Sequence, residues 1–320
     1  MHNAEVGCPI CHQPQRACGK YYDDRHGYPG SFELVRCTAC GHRTTQVRLE
    51  AAEIASLYTN YYPRSSFDVD RWQPAPARSA LSTWWHGLRA SAFRWVPPNA
   101  RVLDIGCGLG ESLGYHRERG SEAYGVEADE NVLRVALRHG LNVRVGLFDP
   151  MAYDADYFDY VTLDQVVEHF NDPIAALQGI ARVLRPGGTL IASTPNADGW
   201  SAKLFGRRSI VWHIPYHVHF FTRVSMSLAA ERAGLKVALA TTVTNSDWLS
   251  FQWSHLATFP REGCKSHFWT PGAQRTLVET LTIALATVAR LSGINAALSR
   301  LLDTAHLGDN FVFLLRKPER

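Results

Sequence analysis

From residue 100 the chain alternates between two periods. Short apolar runs, "ARVLDIG", "EAYGVEA", "NVRVGLF", "FDYVTLD" and "TLIASTPN", read as buried strands. Between them "ESLGYHRERG", "NVLRVALRHG" and "DPIAALQGIARVLR" carry apolar residues at helical spacing, the first two stopped by Gly120 and Gly140. Strand and helix in strict alternation predict βαβ units around a parallel sheet. "RVSMSLAAERAG" and "LKVALATTV" add a helix and a strand, and "NFVFLLRK" (310–317) reads as a last strand.

Upstream, "EAAEIASLYTNYYPR" (50–64) predicts a short helix and a Tyr-rich turn. "FDVDRWQPAPAR" (67–78) predicts a linker or lid. "SALSTWWHGLRASAFRWV" (79–96) predicts a helix stopped by Pro97-Pro98, with its tryptophans in the core. Near the C-terminus, 273–302 carries Leu277, Leu281, Ala284, Val288, Leu291, Leu298 and Leu302 at near-helical spacing. The expectation there is an amphipathic helix packed on its own domain. The alternative is peripheral contact with a lipid-linked substrate or membrane surface, which the scarcity of Lys and Arg disfavours.

Composition narrows the class. At 320 residues with 46% hydrophobic and 20% charged positions, the chain is globular. The net charge of +3 gives no strong nucleic-acid signal. The first residues, "MHNAEVGCPICHQ", lack the apolar segment of a secretory signal, so a cytoplasmic location is expected.

Four of the seven cysteines form two CxxC pairs, Cys8/Cys11 and Cys37/Cys40. A two-residue gap turns both sulfurs towards one point, as tetrahedral Zn²⁺ requires. A structural zinc ribbon over 1–48 is expected, with His12 and Cys18 as lesser substitute ligands. Six Arg/Lys against five Asp/Glu in residues 1–50 argue weakly against nucleic acid as its partner. A helical linker or lid is expected over 49–97, and the catalytic domain over 98–320 with a helical insertion at about 245–305.

The loop "RVLDIGCGLGES" places Gly106, Gly108 and Gly110 after the first strand of the sheet, where α/β proteins bind ligands. It is neither GxxxxGK[ST] nor GxGxxG. Asp104 would repel a phosphate and suit a cationic ligand. "VLDIGCGLG", with the acidic end of "YGVEADE", Asp149 in "VGLFD" and the turn "VLRPGG", resembles the class I S-adenosylmethionine (SAM) methyltransferases over about residues 95–243 plus the final strand. The resemblance implies an α/β Rossmann-like fold, a mostly parallel seven-stranded sheet with helices on both faces. It implies that Asp104 and the glycines hold the methionine part of SAM and Glu127 its ribose. Asp149 would lie near adenine, and Asp164, ending the fourth strand, would also line the cofactor site.

"DQVVEHF" (164–170) follows that strand and would face the methyl group. Glu168 and His169 suit two chemistries: His169 as a direct base, or both as ligands of Mg²⁺ or a similar ion. "HIPYHVHFFTR" adds His213, His217 and His219, with His217 and His219 sharing one face if extended. EH followed by His217 resembles the metal site of small-RNA 2′-O-methyltransferases and ubiquinone-type O-methyltransferases. Gln165, where the RNA enzymes have a second glutamate, weakens the metal reading.

The ribbon, "LYTNYY" and EH also resemble zinc-containing sugar C-methyltransferases loosely. The layout resembles methyltransferases of bacterial polysaccharide and lipid pathways. The expected activity is SAM-dependent O-methylation of a sugar, polysaccharide or related small molecule, with loops 60–78 and 245–275 choosing the acceptor. C-methylation of a sugar nucleotide by His169 is one alternative. A zinc-ribbon nucleic-acid binder with a SAM-sensing domain is another. The sequence leaves the oligomeric state open.

Overall fold

The computed structural model describes residues 7–45, 61 and 68–319. The helix and Tyr-rich turn expected over 50–64 fall outside these apart from Tyr61. The central sheet has seven strands: β4 (Arg101–Ile105), β5 (Glu122–Glu127), β6 (Asn142–Val145), β7 (Phe158–Asp164), β8 (Leu184–Pro195), β10 (Lys236–Thr242) and β11 (Asn310–Arg316). Their order is β10-β11-β8-β7-β4-β5-β6. Pairs from β8 through β6 are parallel, while β11 runs antiparallel between β8 and β10. The expected mostly parallel Rossmann-like sheet is present. Both faces of its inner strands are buried, so they read as continuous apolar runs rather than alternations. Leu103, Val161, Leu163, Leu190 and Phe313 are fully inaccessible and form the core.

Local chemistry places the helices. α2 (Glu111–Glu118) leaves the glycine loop, and α3 (Val132–His139) ends at Gly140 with φ 63°. α4 (Pro173–Val183) starts on an Asp172 cap that accepts the Ala175 N–H, with proline at its first position. α5 (Trp200–Phe205) follows β8, and α6 (Arg223–Arg232) opens with a Thr222/Ser225 capping box.

A second sheet lies at the N-terminal end. β1 (Gln15–Tyr22), β2 (Ser31–Cys37) and β3 (Arg43–Thr45) form an antiparallel ribbon, and β9 (His219–Phe220) pairs with β3. The ribbon sheet therefore takes its fourth strand from beyond residue 200, so its hydrogen bonding crosses the boundary expected at residue 48.

Two expectations are corrected. The segment 79–96 is not one helix: α1 covers only Ala80–Trp85, followed by 3₁₀ turns at Leu88–Ala90 and Ala92–Trp95. Gly87 causes the break. It sits at φ 63°, and a Cβ there would lie 1.9 Å from the Thr244 carbonyl oxygen. Trp84, expected in the core, is 56% exposed. The second correction concerns the insertion between β10 and β11. It holds α7 (Asp247–Ala257), α8 (Leu277–Leu291) and α9 (Ile294–Thr304), and α8 and α9 turn their leucines outward rather than onto the domain.

Candidate functional site

The loop after β4 winds through left-handed backbone at Gly106, Gly108 and Gly110. A Cβ at Gly106 would meet Val166 at 2.5 Å and one at Gly110 would meet Leu141 at 2.7 Å, so neither position tolerates a side chain. A cavity of about 330 Å³ opens here at the carboxyl ends of the parallel strands. It is lined by Asp104, Gly106, Gly108, Glu111, Asp164 and Gln165 of the strand ends. The segments around them add Ser91, Phe93, Asn245, Trp248 and Asn310. Asn310 reaches the cavity because β11 is antiparallel, which puts its first residue at this end, opposite Pro195. Sequence reasoning missed Ser91 and Phe93, which lie where the helix expected over 79–96 breaks into 3₁₀ turns, and Asn245 and Trp248, at the loop and first turn that open α7. The expected lid is pinned to the same loop: buried Trp72 donates from Nε1 to the Leu109 carbonyl (3.0 Å).

Asp104 is buried. Its carboxylate accepts from Thr162 Oγ1 (2.6 Å) and from the Ser112 hydroxyl, and burial raises its pKa to about 7. Asp164 accepts from the Ser193 hydroxyl, and burial raises its pKa too. Glu127 ends β5 beside the glycine loop: Oε2 accepts the Gly108 N–H (2.9 Å) and Oε1 the Asp129 N–H (3.0 Å). Asp149 sits apart from the cavity as the cap of a 3₁₀ turn, where Oδ1 accepts the Met151 N–H (2.9 Å). The structure thus brings Asp104, Asp164, Gly106 and Gly108 to one cavity, with Glu127 bonded to their loop, while Asp149 caps a turn outside that lining.

Past Gln165, a 3₁₀ turn at Val167–His169 aims Glu168 and His169 inward. They meet His217, and one ligand atom from each lies within 4.8 Å of the others. Glu168 is fully buried; Oε2 accepts from Thr194 Oγ1 (3.0 Å), while Oε1 has no hydrogen bond and lies 3.9 Å from His217 Nε2. Burial pushes its pKa up to about 8. His169 Nδ1 lies 2.7 Å from the Tyr216 carbonyl and His217 Nδ1 3.3 Å from that of Val211. A carbonyl only accepts, so each Nδ1 carries the proton and Nε2 is the basic nitrogen of both rings. Burial holds His217 neutral, its pKa well below the usual value.

The other two histidines separate. His219 leaves its expected face-mate and meets His42 of the ribbon (Nδ1 to Nε2, 3.0 Å). Strand pairing between β3 and β9 fixes that direction. His213 stacks on Tyr216 (4.5 Å) beside His217 (5.0 Å). Gln165 does not join the cluster: its amide is oriented towards Ser193 and Asn310 at the cavity. The ribbon loop at 23–28 was not foreseen near this site. Asp23 folds it by accepting the N–H groups of Arg25, His26 and Tyr28, and the His26 ring lies 5.7 Å from both His213 and Tyr216.

At the far end of the ribbon Cys8, Cys11, Cys37 and Cys40 converge. Their sulfur separations are 3.7, 3.4 and 3.5 Å for Cys8–Cys40, Cys11–Cys37 and Cys11–Cys40. A disulfide needs about 2.05 Å. Four sulfurs each about 2.3 Å from a tetrahedral ion stand about 3.8 Å apart. Backbone N–H groups of Ile10, Ala39 and Cys40 point at the sulfurs of Cys8 and Cys37 (3.4–3.5 Å). Burial raises the Cys8 thiol to about 11; at Cys37 burial also opposes ionisation, but the N–H donors bring it down to about 7. His12 and Cys18 are not part of the cluster.

A glycine loop at the carboxyl ends of a parallel sheet, closed by an antiparallel last strand, is the architecture of a SAM-dependent methyltransferase. The chain belongs to the methyltransferase-domain family, whose model matches residues 78–240. Among curated relatives it is similar to the ubiquinone biosynthesis O-methyltransferase of Aeromonas salmonicida, 28% identical over 54% of this chain and 84% of that one. The enzyme of the same name from Thiobacillus denitrificans is 28% identical over 55% and 88%. Solved structures lie further off. They include a SAM-dependent methyltransferase of Archaeoglobus fulgidus (TM-score 0.45, 18% identity, 75% of this chain and 95% of that one). Another is the 1,6-didemethyltoxoflavin N1-methyltransferase of Burkholderia thailandensis (0.45, 16%, 88% and 98%).

Proposed function

We propose that this enzyme methylates a hydroxyl oxygen of a small-molecule acceptor, a sugar or related compound, with Glu168, His169 and His217 as the acceptor-side machinery. The observation that carries this reading is the convergence of those three side chains just beyond Gln165, which itself lines the cavity. The O-methyltransferase names of the relatives support oxygen as the accepting atom. Asp104, Asp164 and the glycine loop hold the methionine end of SAM, and Glu127 the ribose.

An alcohol is a weak nucleophile until it loses its proton. His169 Nε2 takes that proton as the oxygen attacks the SAM methyl carbon. SAM held in the cavity would supply the methyl group and leave as a neutral thioether, while the proton stays on His169. The Tyr216 carbonyl fixes the imidazole in the tautomer that can accept it. In-line displacement needs both reactants aligned, so positioning supplies much of the rate.

A second reading has its own support. Glu168 Oε1 lacks a hydrogen bond, and both imidazoles have Nδ1 turned to a carbonyl, as metal-bound histidines do. This donor set fits a divalent cation, and two nitrogens with one oxygen suit Mn²⁺, Fe²⁺ or Zn²⁺ better than the Mg²⁺ expected from sequence. Such an ion would lower the pKa of the acceptor hydroxyl. The four cysteines fit a structural zinc ion that ties residues 7–45 together.

Incubation of the full chain with methyl-labelled SAM and a panel of hydroxylated acceptors tests the assignment. The expected product carries label on oxygen. Label on carbon would replace this reading with C-methylation. Activity that survives EDTA, with the ribbon zinc retained, selects the direct base. Loss on chelation with rescue by Mn²⁺ selects the cation.

A further inference from the structure

The cavity at the strand ends has two walls. Asp104, Gly106 and Gly108 belong to β4 and its loop, and Glu127, bonded to that loop, ends the neighbouring β5. A cofactor held at Asp104 and Glu127 therefore runs from β4 towards the β5–β6 edge. The other wall lies on the far side of β4 in the sheet. It brings Gln165 from just after β7, Asn310 from β11, and Asn245 and Trp248 from the segment after β10. Phe93 joins from the 3₁₀ turn before β4. Gln165 also precedes the turn that carries Glu168 and His169, so this wall adjoins the proton-accepting imidazole along the chain.

Three carboxamides and two aromatic rings make up the second wall. Gln165 takes left-handed backbone at φ 57°, which non-glycine residues rarely adopt, and its N–H on the Ser193 carbonyl (3.0 Å) holds that turn. Its Nε2 donates to Ser193 Oγ (3.3 Å) and Asn310 Oδ1 (3.4 Å), so its Oε1 is the group left over. Asn310 is buried, and with Oδ1 taken by Gln165 its Nδ2 remains as a donor. Asn245 uses Oδ1 to accept the Asp247 N–H (3.0 Å) where α7 opens, and it too keeps Nδ2. Trp248 and Phe93 are half-buried, Trp248 edge to face with Phe251 (6.1 Å) and Phe93 with Tyr115 (5.1 Å).

Charge narrows the ligand. Among the described residues no lysine or arginine lines the cavity, whereas Asp104, Glu111 and Asp164 do. A phosphate or carboxylate on the reacting part of the acceptor would meet those carboxylates at close range. A hydroxyl both donates and accepts, so a ring carrying several hydroxyls matches amide groups of both kinds. A flat phenol would suit the aromatic rings but leave the amides without partners. We propose that Gln165, Asn245, Trp248 and Asn310 form the acceptor subsite and that it takes an uncharged pyranose. The amides meet its hydroxyls, and Trp248 and Phe93 cover its C–H face. This deepens the O-methyltransferase reading above and rests on it for the place of the cofactor.

Saturation-transfer NMR on the full chain loaded with S-adenosylhomocysteine tests it. The probes are the methyl α-glycosides of glucose, galactose, mannose and rhamnose, with UDP-glucose and catechol beside them. At least one glycoside is expected to bind through its ring protons. Trp248→Ala should weaken that binding about tenfold. Asn245→Asp keeps the oxygen that caps α7 and removes the donor, and it should weaken binding by at least as much. Calorimetric S-adenosylhomocysteine affinity should match the wild type in both variants. A loss of that affinity in Trp248→Ala would give the wall to the cofactor and overturn the proposal. So would the failure of all four glycosides, or binding of UDP-glucose or catechol more than about tenfold tighter than theirs. Methyl label found on carbon, with glycoside binding intact and dependent on Trp248, would overturn the oxygen assignment alone and leave this subsite standing.

Discussion

Two clusters of ligand-type side chains lie at opposite ends of one hydrogen-bonded connection, and they are built differently. The cysteine cluster is closed. Its sulfurs take their contacts from each other and from backbone N–H groups of the same two turns, and Cys8, Cys37 and Cys40 are buried. The Glu168–His169–His217 cluster is assembled from two distant segments and keeps a buried carboxylate oxygen without a hydrogen bond. A closed donor set has satisfied its polar groups by folding, which suits a scaffold. An unsatisfied buried oxygen costs about 1–3 kcal/mol of desolvation, which a bound proton donor or cation at that oxygen would offset. The contrast supports the proposal that one end is scaffold and the other carries the chemistry. β3–β9 pairing, the His42–His219 bond and the Thr222 hydroxyl on the Cys40 carbonyl (2.8 Å) join them.

Breaking the closed end should have the largest effect. Cys37→Ser removes one of four sulfurs, and among the described residues no fifth ligand joins the cluster. Elemental analysis should fall from about one zinc per chain to near none, because metal binding is itself folding free energy at such sites. Protease sensitivity should appear first in residues 7–45. A variant that keeps its zinc would mean that the cluster is not the site.

Breaking the open end should leave the fold and remove the rate. His169→Ala is expected to lower turnover about 10²–10⁴-fold with calorimetric SAM affinity unchanged. If Glu168, His169 and His217 act as one cation site, the three alanine variants should fail alike rather than additively. Full turnover in both Glu168→Ala and His169→Ala would move the chemistry elsewhere.

What the sequence disclosed follows the same division. Cys8, Cys11, Cys37 and Cys40 were readable because each pair is local and its spacing is geometric. The sheet was readable because buried parallel strands are apolar runs cut by helical periods. Glu168 and His169 were readable by their place after β7. His217 and His219 were not separable, since alternation predicts a shared face and only the tertiary pairing of β9 with the ribbon sends His219 to His42. Asn245 and Trp248 reach the cavity from the loop before α7 and from its first turn, whose direction depends on the whole domain. α8 was misread for a different reason. Its amphipathic pattern is real, but a period says that two faces differ and not which one is covered. The inward face of α8 is held by the Ser250 hydrogen bond to the Ala286 carbonyl and that of α9 by the bonds of Asn295 and Arg300, which no hydrophobic count registers.

The smallest predicted effect concerns the connection itself. Thr222 caps α6, where its hydroxyl oxygen accepts the Ser225 N–H (3.0 Å), and the same hydroxyl donates to the Cys40 carbonyl. Thr222→Val keeps the shape and removes both contacts. Loss of an N-cap costs about 0.5–2 kcal/mol, and about 1 kcal/mol lowers the melting temperature of a domain this size by roughly 2–4 °C. Thr222 lies five residues beyond His217 and touches neither Glu168 nor His169. Its loss should therefore loosen the cysteine end without altering the chemistry. Calorimetric melting should shift down by that amount, zinc content should hold, and turnover per folded molecule should match the wild type. A fall in turnover as deep as that of His169→Ala, at full zinc content, would show that the ribbon positions His217 directly. The two clusters would then have to be treated as one functional unit.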